Sequence, residues 1–186
     1  MLHFHIVTLF PESIESYLSS SILGRAREKK LIKISYYDPK KYAVGKHKRV
    51  DQRPYGGGPG MVLEPQAMLR ACDKALKGKK GVEKIFFATD GAQFDEEMAK
   101  KLSKKKDILF ICGRYEGVDA RVPQILKAKP VSVGPYVLTG GELPAATVVD
   151  AIARFIPGVL GKIESLERSR VSSPEVYTRP DVLVWK

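Results

Sequence analysis

The stretch VSVGPYVLTGG, Val131 to Gly141, decides how the rest of the chain reads, together with the glycine-bracketed turn GRYEG at Gly113 to Gly117. Each follows a short apolar run of the kind a buried strand needs, and each puts glycines where a loop must bend sharply or admit a ligand closely. Two such loops at consecutive strand ends point to one pocket. Gly113, Gly117, Gly134, Gly140 and Gly141 leave main-chain N–H and C=O groups open to a flat ligand with an adenine or ribose edge. On spacing alone, ordinary strand-to-helix turns account for them equally well, so the surrounding sequence has to decide.

Outward from these loops the chain alternates. Leu2 to Thr8 predicts an opening strand, Pro11-Glu12 begins a helical stretch that runs, with or without a break, to Lys30, and Leu31 to Tyr37 predicts a second strand. Pro65 to Ala75 reads as a helix, Lys84 to Thr89 (KIFFAT) as a strand, Asp95 to Leu102 as a helix and Ile108 to Cys112 as a strand. A helix over Val118 to Leu126, a last strand over Pro130 to Val133 and a helix over Leu143 to Ile156 follow. Such alternation predicts an α/β domain with a mostly parallel sheet and helices on both faces, and ligands of such sheets sit at the carboxyl ends of the strands. In the last helix Ala145, Val148, Val149, Ile152 and Phe155 form an apolar stripe, while Thr147, Asp150 and Arg154 share the opposite face. Asp150 and Arg154, four apart, are spaced for a surface ion pair.

The bulk numbers bound the function. A chain of 186 residues, 44% hydrophobic and 28% charged, is one domain of ordinary size. Its 32 Lys and Arg against 21 Asp and Glu leave a net charge of +11, which favours a polyanion such as nucleic acid. Much of that charge lies in Asp38 to Gly60, where Lys40, Lys41, Lys46, Lys48, Arg49 and Arg53 interleave with Tyr42, His47 and Tyr55 before PYGGGPGM at Pro54 to Met61. An aperiodic loop of this length is uncommon in a compact domain and is usually functional or disordered. Cys72 and Cys112, each in apolar context, supply neither a disulfide framework nor a CxxC site. The N-terminus MLHFHIVTLFPE lacks a basic region before an apolar run that is too short to span a bilayer, so a cytoplasmic protein without membrane association is expected.

Several chemistries are disfavoured by omission. GVLGK at Gly158 to Lys162 has the wrong glycine spacing for a phosphate loop, TLFPE after the first strand is no dinucleotide fingerprint, and neither GxSxG nor HExxH occurs. The three histidines are scattered, His3 and His5 are read as packing on a strand, and no metal site is expected. From Gly161 the chain turns polar; Ser165 to Pro180 reads as a flexible linker, and Val182 to Trp185 as the start of something cut short or an unusually short tail.

Taken together, LFPE at Leu9 to Glu12, RPYGGGPGM at Arg53 to Met61, CGRYEGVDARV at Cys112 to Val122, VGPYVLTGGELPA at Val133 to Ala145, DAIARFIPGVLG at Asp150 to Gly161 and YTRP at Tyr177 to Pro180 resemble the bacterial tRNA (guanine-N1)-methyltransferase family TrmD, of the SPOUT class. The motifs occur in family order along nearly the whole chain. The resemblance implies a deep trefoil knot near the C-terminal half, an obligate homodimer with its active site at the interface, and methyl transfer from S-adenosylmethionine to N1 of the guanosine 3′ of the anticodon, position 37 of tRNA. It divides the chain into a cofactor-binding domain, residues 1–161, and a linker with the start of a truncated or missing helical domain, residues 162–186.

The same resemblance assigns cofactor contacts to Ala88, Thr89, Gly113, Tyr115, Glu116, Gly117, Val133, Gly134, Pro135, Tyr136, Val137, Leu138, Gly140, Gly141 and Pro144. RNA contacts fall on Arg49, Asp51, Arg53, Gly57, Gly58 and Gly60. Arg154 corresponds to the arginine that stabilises charge developing on guanine O6. The family's proton-accepting Asp is absent from ESLERSR, which offers Glu164 and Glu167; Glu167 is the expected substitute. Pro135 stands where an Asp is frequent, and Ala88-Thr89-Asp90 replaces Ser-Pro-Gln. A protein of this fold that binds RNA or S-adenosylmethionine as a homodimer with weakened catalysis is the alternative.

Overall fold

The computed structural model describes residues 1–160, 177–180 and 182. In chain order the elements are β1 (Leu2–Val7), α1 (Glu12–Leu18), α2 (Ser21–Glu28), β2 (Ile32–Tyr37), a 3-10 turn at Pro39–Tyr42, β3 (Asp51–Gln52), β4 (Val62–Leu63) and α3 (Pro65–Leu76). They continue with β5 (Glu83–Gln93), α4 (Glu96–Leu102), β6 (Asp107–Ile111), α5 (Arg121–Leu126), β7 (Lys129–Ser132) and α6 (Glu142–Ala153). Every residue of β6 is buried, the condition of a central strand covered on both faces. It lies in the middle of a five-stranded sheet of order β2-β1-β6-β5-β7, and all four pairings are parallel.

Side-chain alternation sorts the core into two layers. Phe4, Ile6, Ile85 and Phe110 pack on one face against Ile14, Leu18, Leu23, Leu102, Val148 and Ile152 from α1, α2, α4 and α6. Val7, Leu109 and Ile111 pack on the other against Met68, Cys72, Val122 and Leu126 from α3 and α5. Burying each large apolar side chain contributes about 1.5–3 kcal/mol. Helix starts are set by local chemistry: Glu64 accepts hydrogen bonds from the N–H of Ala67 at 2.8 Å ahead of α3, with Pro65 at its first position, and Asp95 caps α4 through Met98 N–H at 2.7 Å.

Several boundaries differ from the sequence reading. The fourth sheet strand, β5, does not stop at Thr89 but runs to Gln93 through a bulge, where Phe87 and Ala92 both oppose Val131. The helix expected from Val118 starts at Arg121, because Val118 instead makes a parallel bridge to Leu63. The last helix ends at Ala153, three residues short of Ile156. The basic segment before Gly60 is anchored rather than structureless: Val50 is buried, Asp38 caps the 3-10 turn through Lys40 N–H, and β3 pairs antiparallel with β4.

His3 and His5 do more than pack. His5 is fully buried and bonds Asp107 at 2.8 Å and the Tyr37 hydroxyl at 3.0 Å. Burial, before any neighbouring charge, lowers the pKa of both rings, that of His3 to about 4. No helix among the described residues is long and apolar enough to cross a membrane. The expected linker and domain start fall largely outside the described residues; so do Glu164 and Glu167, while Tyr177 and Val182 are exposed.

Candidate active site

Three strand ends converge on one cleft of about 280 Å³: the β5 bulge, the turn after β6 and the loop after β7. Ala88, Thr89, Gly113, Tyr115, Glu116, Gly117, Val133, Gly134, Tyr136, Leu138, Gly140, Gly141 and Pro144 all line it, joined by Asp90, Arg114, Ser132 and Thr139. Pro135 and Val137 do not; both are exposed between lining residues.

The floor of the cleft exists because two backbones touch. A Cβ on Gly141 would sit 2.6 Å from Cys112 Cα and 3.0 Å from Gly113 N, so only glycine allows α6 to begin there. The contact is closed by a hydrogen bond from Gly141 N–H to Gly113 C=O at 2.9 Å and an antiparallel bridge between Arg114 and Gly140. Gly91 plays the same part in the bulge, where a Cβ would lie 2.5 Å from Val131 N. Tyr115 adopts φ 59°, a left-handed conformation costing a non-glycine residue about 1–2 kcal/mol, and such strain concentrates at functional sites. The Cys112 thiol beneath is inert, its pKa driven far up by burial and secondarily by Glu142.

Sequence reasoning missed the charged brace behind the cleft. Glu142, 2% exposed in the first turn of α6, accepts a hydrogen bond from the Thr8 hydroxyl at 2.7 Å and lies 2.9 Å from Arg114 Nε. The last two atoms are close but not aligned for a hydrogen bond, so the contact is an ion pair. The Arg114 guanidinium also stacks 4.8 Å over the Phe10 ring, and Phe10 N–H is held by Thr8 Oγ1 at 3.0 Å. The turn LFPE thus buttresses one wall of the pocket. Residues 8, 10, 114 and 142 meet only after folding; the apolar setting of a lone Glu after Gly140-Gly141 was the available signal.

The basic glycine loop is sewn to the cleft. Glu116 N–H donates to Met61 C=O at 2.9 Å, Leu63 N–H donates to Gly117 C=O at 2.9 Å, and Asp119 N–H donates to Leu63 C=O at 3.0 Å. The Glu116 side chain rests against Gly60, where an added Cβ would come within 2.4 Å of its carboxylate oxygen. Arg49, Arg53, Gly57, Gly58 and Gly60 are exposed; Asp51 is half-buried at the base of the ribbon. Arg154 lies outside this assembly, at the far end of α6 from the cleft. Its helical neighbour Asp150 is engaged from α1 by the Tyr17 hydroxyl.

The fold is thus a parallel α/β domain whose sheet carries a glycine-floored cleft at its carboxyl edge, with a basic loop stitched to one wall. The family model described as tRNA (Guanine-1)-methyltransferase TrmD matches residues 2–183. A tRNA (guanine-N(1)-)-methyltransferase of Actinobacillus pleuropneumoniae serotype 5b (strain L20) is 42% identical over 187 residues, covering 96% of this chain and 74% of the relative. Proteins of that name from Clostridioides difficile (strain 630) and Dictyoglomus turgidum are 40% and 46% identical, covering 96% and 89% of this chain and 80% and 66% of the relatives. The chain belongs to the TrmD family of tRNA (guanine-N1)-methyltransferases.

Proposed function

We propose that the protein transfers the methyl group of S-adenosylmethionine to N1 of the guanosine 3′ of the anticodon, position 37 of tRNA, acting in the cytoplasm as a homodimer. The observation that carries the reading is the seam between Glu116-Gly117 and Met61-Leu63, which sets a basic, glycine-rich RNA loop against the wall of a nucleoside-sized cleft. A floor in which the Gly141 backbone lies directly against Cys112 and Gly113 supports the reading, since it leaves main chain facing the flat side of an adenosine group.

The sulfonium donor supplies a methyl carbon that is already electrophilic. Bound in the cleft, the donor would give that carbon to guanine N1 as its thioether left with the C–S electron pair, and the N1 proton would pass to a base. The cleft residues bind and orient, so that the reactants meet in line. The Asp51–Gly60 loop admits a base lifted from its stack, with Arg49 and Arg53 on phosphates. Arg154 stabilises the charge developing on O6, and Glu167 accepts the proton.

Distance supports the dimer if Arg154 acts at the cleft. α6 has 12 residues, a length of roughly 18 Å, so an Arg154 that acts at a cleft comes from a twin subunit. Val137, 84% exposed, and Leu143, 59% exposed, offer an apolar face beside the cleft for that subunit to cover. The trefoil knot belongs to the same proposal: the chain leaving β7 at the sheet edge returns past β5 to pair Gly140 with Arg114 at the end of β6.

The test is transfer of labelled methyl to tRNA transcripts carrying guanosine or adenosine at position 37, with the product nucleoside identified by mass spectrometry. N1-methylguanosine in the first transcript alone is the expected result. Binding of S-adenosylmethionine without transfer would instead identify a catalytically weakened member.

A further inference from the structure

At the opposite end of the sheet from the cleft, three side chains of one face converge. His3 and His5, two apart on β1, point to the same side, and parallel pairing of β1 with β6 brings Asp107 directly opposite His3. A nitrogen from each ring and a carboxylate oxygen all lie within 4.8 Å of one another. His5 Nε2 stands 2.8 Å from Asp107 Oδ1, and His3 Nδ1 stands 3.8 Å from the same oxygen.

The outer nitrogens are already spoken for. His3 Nε2 meets the Ser35 hydroxyl at 2.9 Å, and His5 Nδ1 meets the Tyr37 hydroxyl at 3.0 Å. Both hydroxyls come from β2, the strand on the other side of β1. With Nδ1 of His5 carrying the proton toward Tyr37, its Nε2 lone pair faces the gap; with Nε2 of His3 bonded to Ser35, its Nδ1 faces the same gap. Histidines that ligate a metal ion are held in this way, the distal nitrogen fixed by an outer hydrogen bond.

We propose that His3, His5 and Asp107 form a binding site for one divalent transition-metal ion of the zinc class. Two imidazoles and one carboxylate favour such an ion over magnesium or calcium, which prefer oxygen ligands. Tetrahedral coordination at about 2.0 Å separates neighbouring ligand atoms by roughly 3.3 Å, between the 2.8 and 3.8 Å present here, so small side-chain rotations complete the site. The way in lies beside His3 and Asp107, whose side chains are 15% and 11% exposed, and water there fills the remaining coordination. Exposed Lys33 and half-buried Lys79 oppose the ion's charge, and the Asp107 carboxylate at the centre of the group offsets them. The ion would pin β1 to β6 far from the methyl-transfer cleft, as a structural clamp.

The experiment titrates chelator-treated, full-length protein with Zn²⁺ and with Co²⁺ at neutral pH, following stoichiometry by calorimetry and Co²⁺ ligand-field absorption. One ion per chain is expected, with an absorption of four- or five-coordinate character and a rise in melting temperature. His3→Gln and Asp107→Asn, each removing a direct ligand, are expected to lower affinity by more than the tenfold to hundredfold that loss of an outer partner costs, while His47→Gln, altering the histidine of the exposed loop, changes nothing. Should either core variant fail to fold, Ser35→Ala, which removes only the outer bond to His3, is read in its place and lowers affinity by about tenfold. No uptake, uptake indifferent to these substitutions, or uptake lost with His47→Gln overturns the proposal.

Discussion

Replacing Gly141 by alanine isolates one contact. Its φ of −82° is ordinary for any L-residue, so the substitution brings no backbone penalty and the whole cost is steric. The new Cβ would sit 2.6 Å from Cys112 Cα, whereas unstrained contacts begin near 3.4 Å; the start of α6 and the end of β6 must part by about 0.8 Å. Neither partner is a flexible side-chain tip, so the strain falls on the cleft floor. Overpacking of this kind costs about 1–3 kcal/mol. Expressed wholly at the cleft, that is a loss of S-adenosylmethionine affinity of about 5- to 150-fold; expressed as global instability, it lowers Tm by about 2–4 °C per kcal/mol. Calorimetric titration and thermal unfolding of the same variant divide the cost between the two. Gly57→Ala is the contrast: φ is +80° there and nothing lies within 4 Å of an added Cβ, so affinity for the donor should stay within about twofold while transfer to tRNA declines. A Gly141→Ala protein with unchanged affinity and unchanged Tm would refute the steric account of the floor.

Arg114→Met leaves the buried Glu142 carboxylate without its cation and should cost about 3–5 kcal/mol in urea unfolding, with part of the loss recovered on adding Glu142→Gln. Both cysteines should resist a thiol reagent at pH 8 in the folded protein and react after unfolding, because burial, with a smaller push from Asp73, drives Cys72 up to about 12 and burial carries Cys112 well above the ordinary thiol range. Glu83 on β5 is bridged by Lys129 at 2.7 Å and Lys105 at 3.2 Å; burial works to raise its pKa, but the two lysines outweigh it and hold the carboxyl below its ordinary 4.5. A depressed carboxylate stabilises the fold fully above its unfolded pKa and loses that contribution as pH falls through the folded value, so Lys129→Ala should lower stability at pH 7 and flatten the acid limb of a stability profile below about pH 4.5, where variant and parent converge.

Much of this was written along the chain. Period-two and period-3.6 patterns are local, and they identify the strands, the helices and the parallel α/β class without reference to neighbours distant in sequence. The same holds for the glycines at 113, 117, 140 and 141, since a turn that must bend tightly declares itself in residue type. Element limits were less legible, because a strand ends where its partner ends: β5 continues past Thr89 only because Val131 is there to pair with Phe87 and again with Ala92.

Encounters across long separations belong to the tertiary structure alone. Glu142 and Asp107 look like ordinary acids in the sequence, and become a brace for Arg114 and a partner for two histidines once parallel pairing and helix packing bring residues from opposite ends of the chain into contact. Met61 carries no mark in the sequence that its carbonyl will receive Glu116 N–H. Side-chain pattern encodes which face each segment buries, whereas the identity of what lies across that face is settled by which strands and helices become neighbours in the folded sheet.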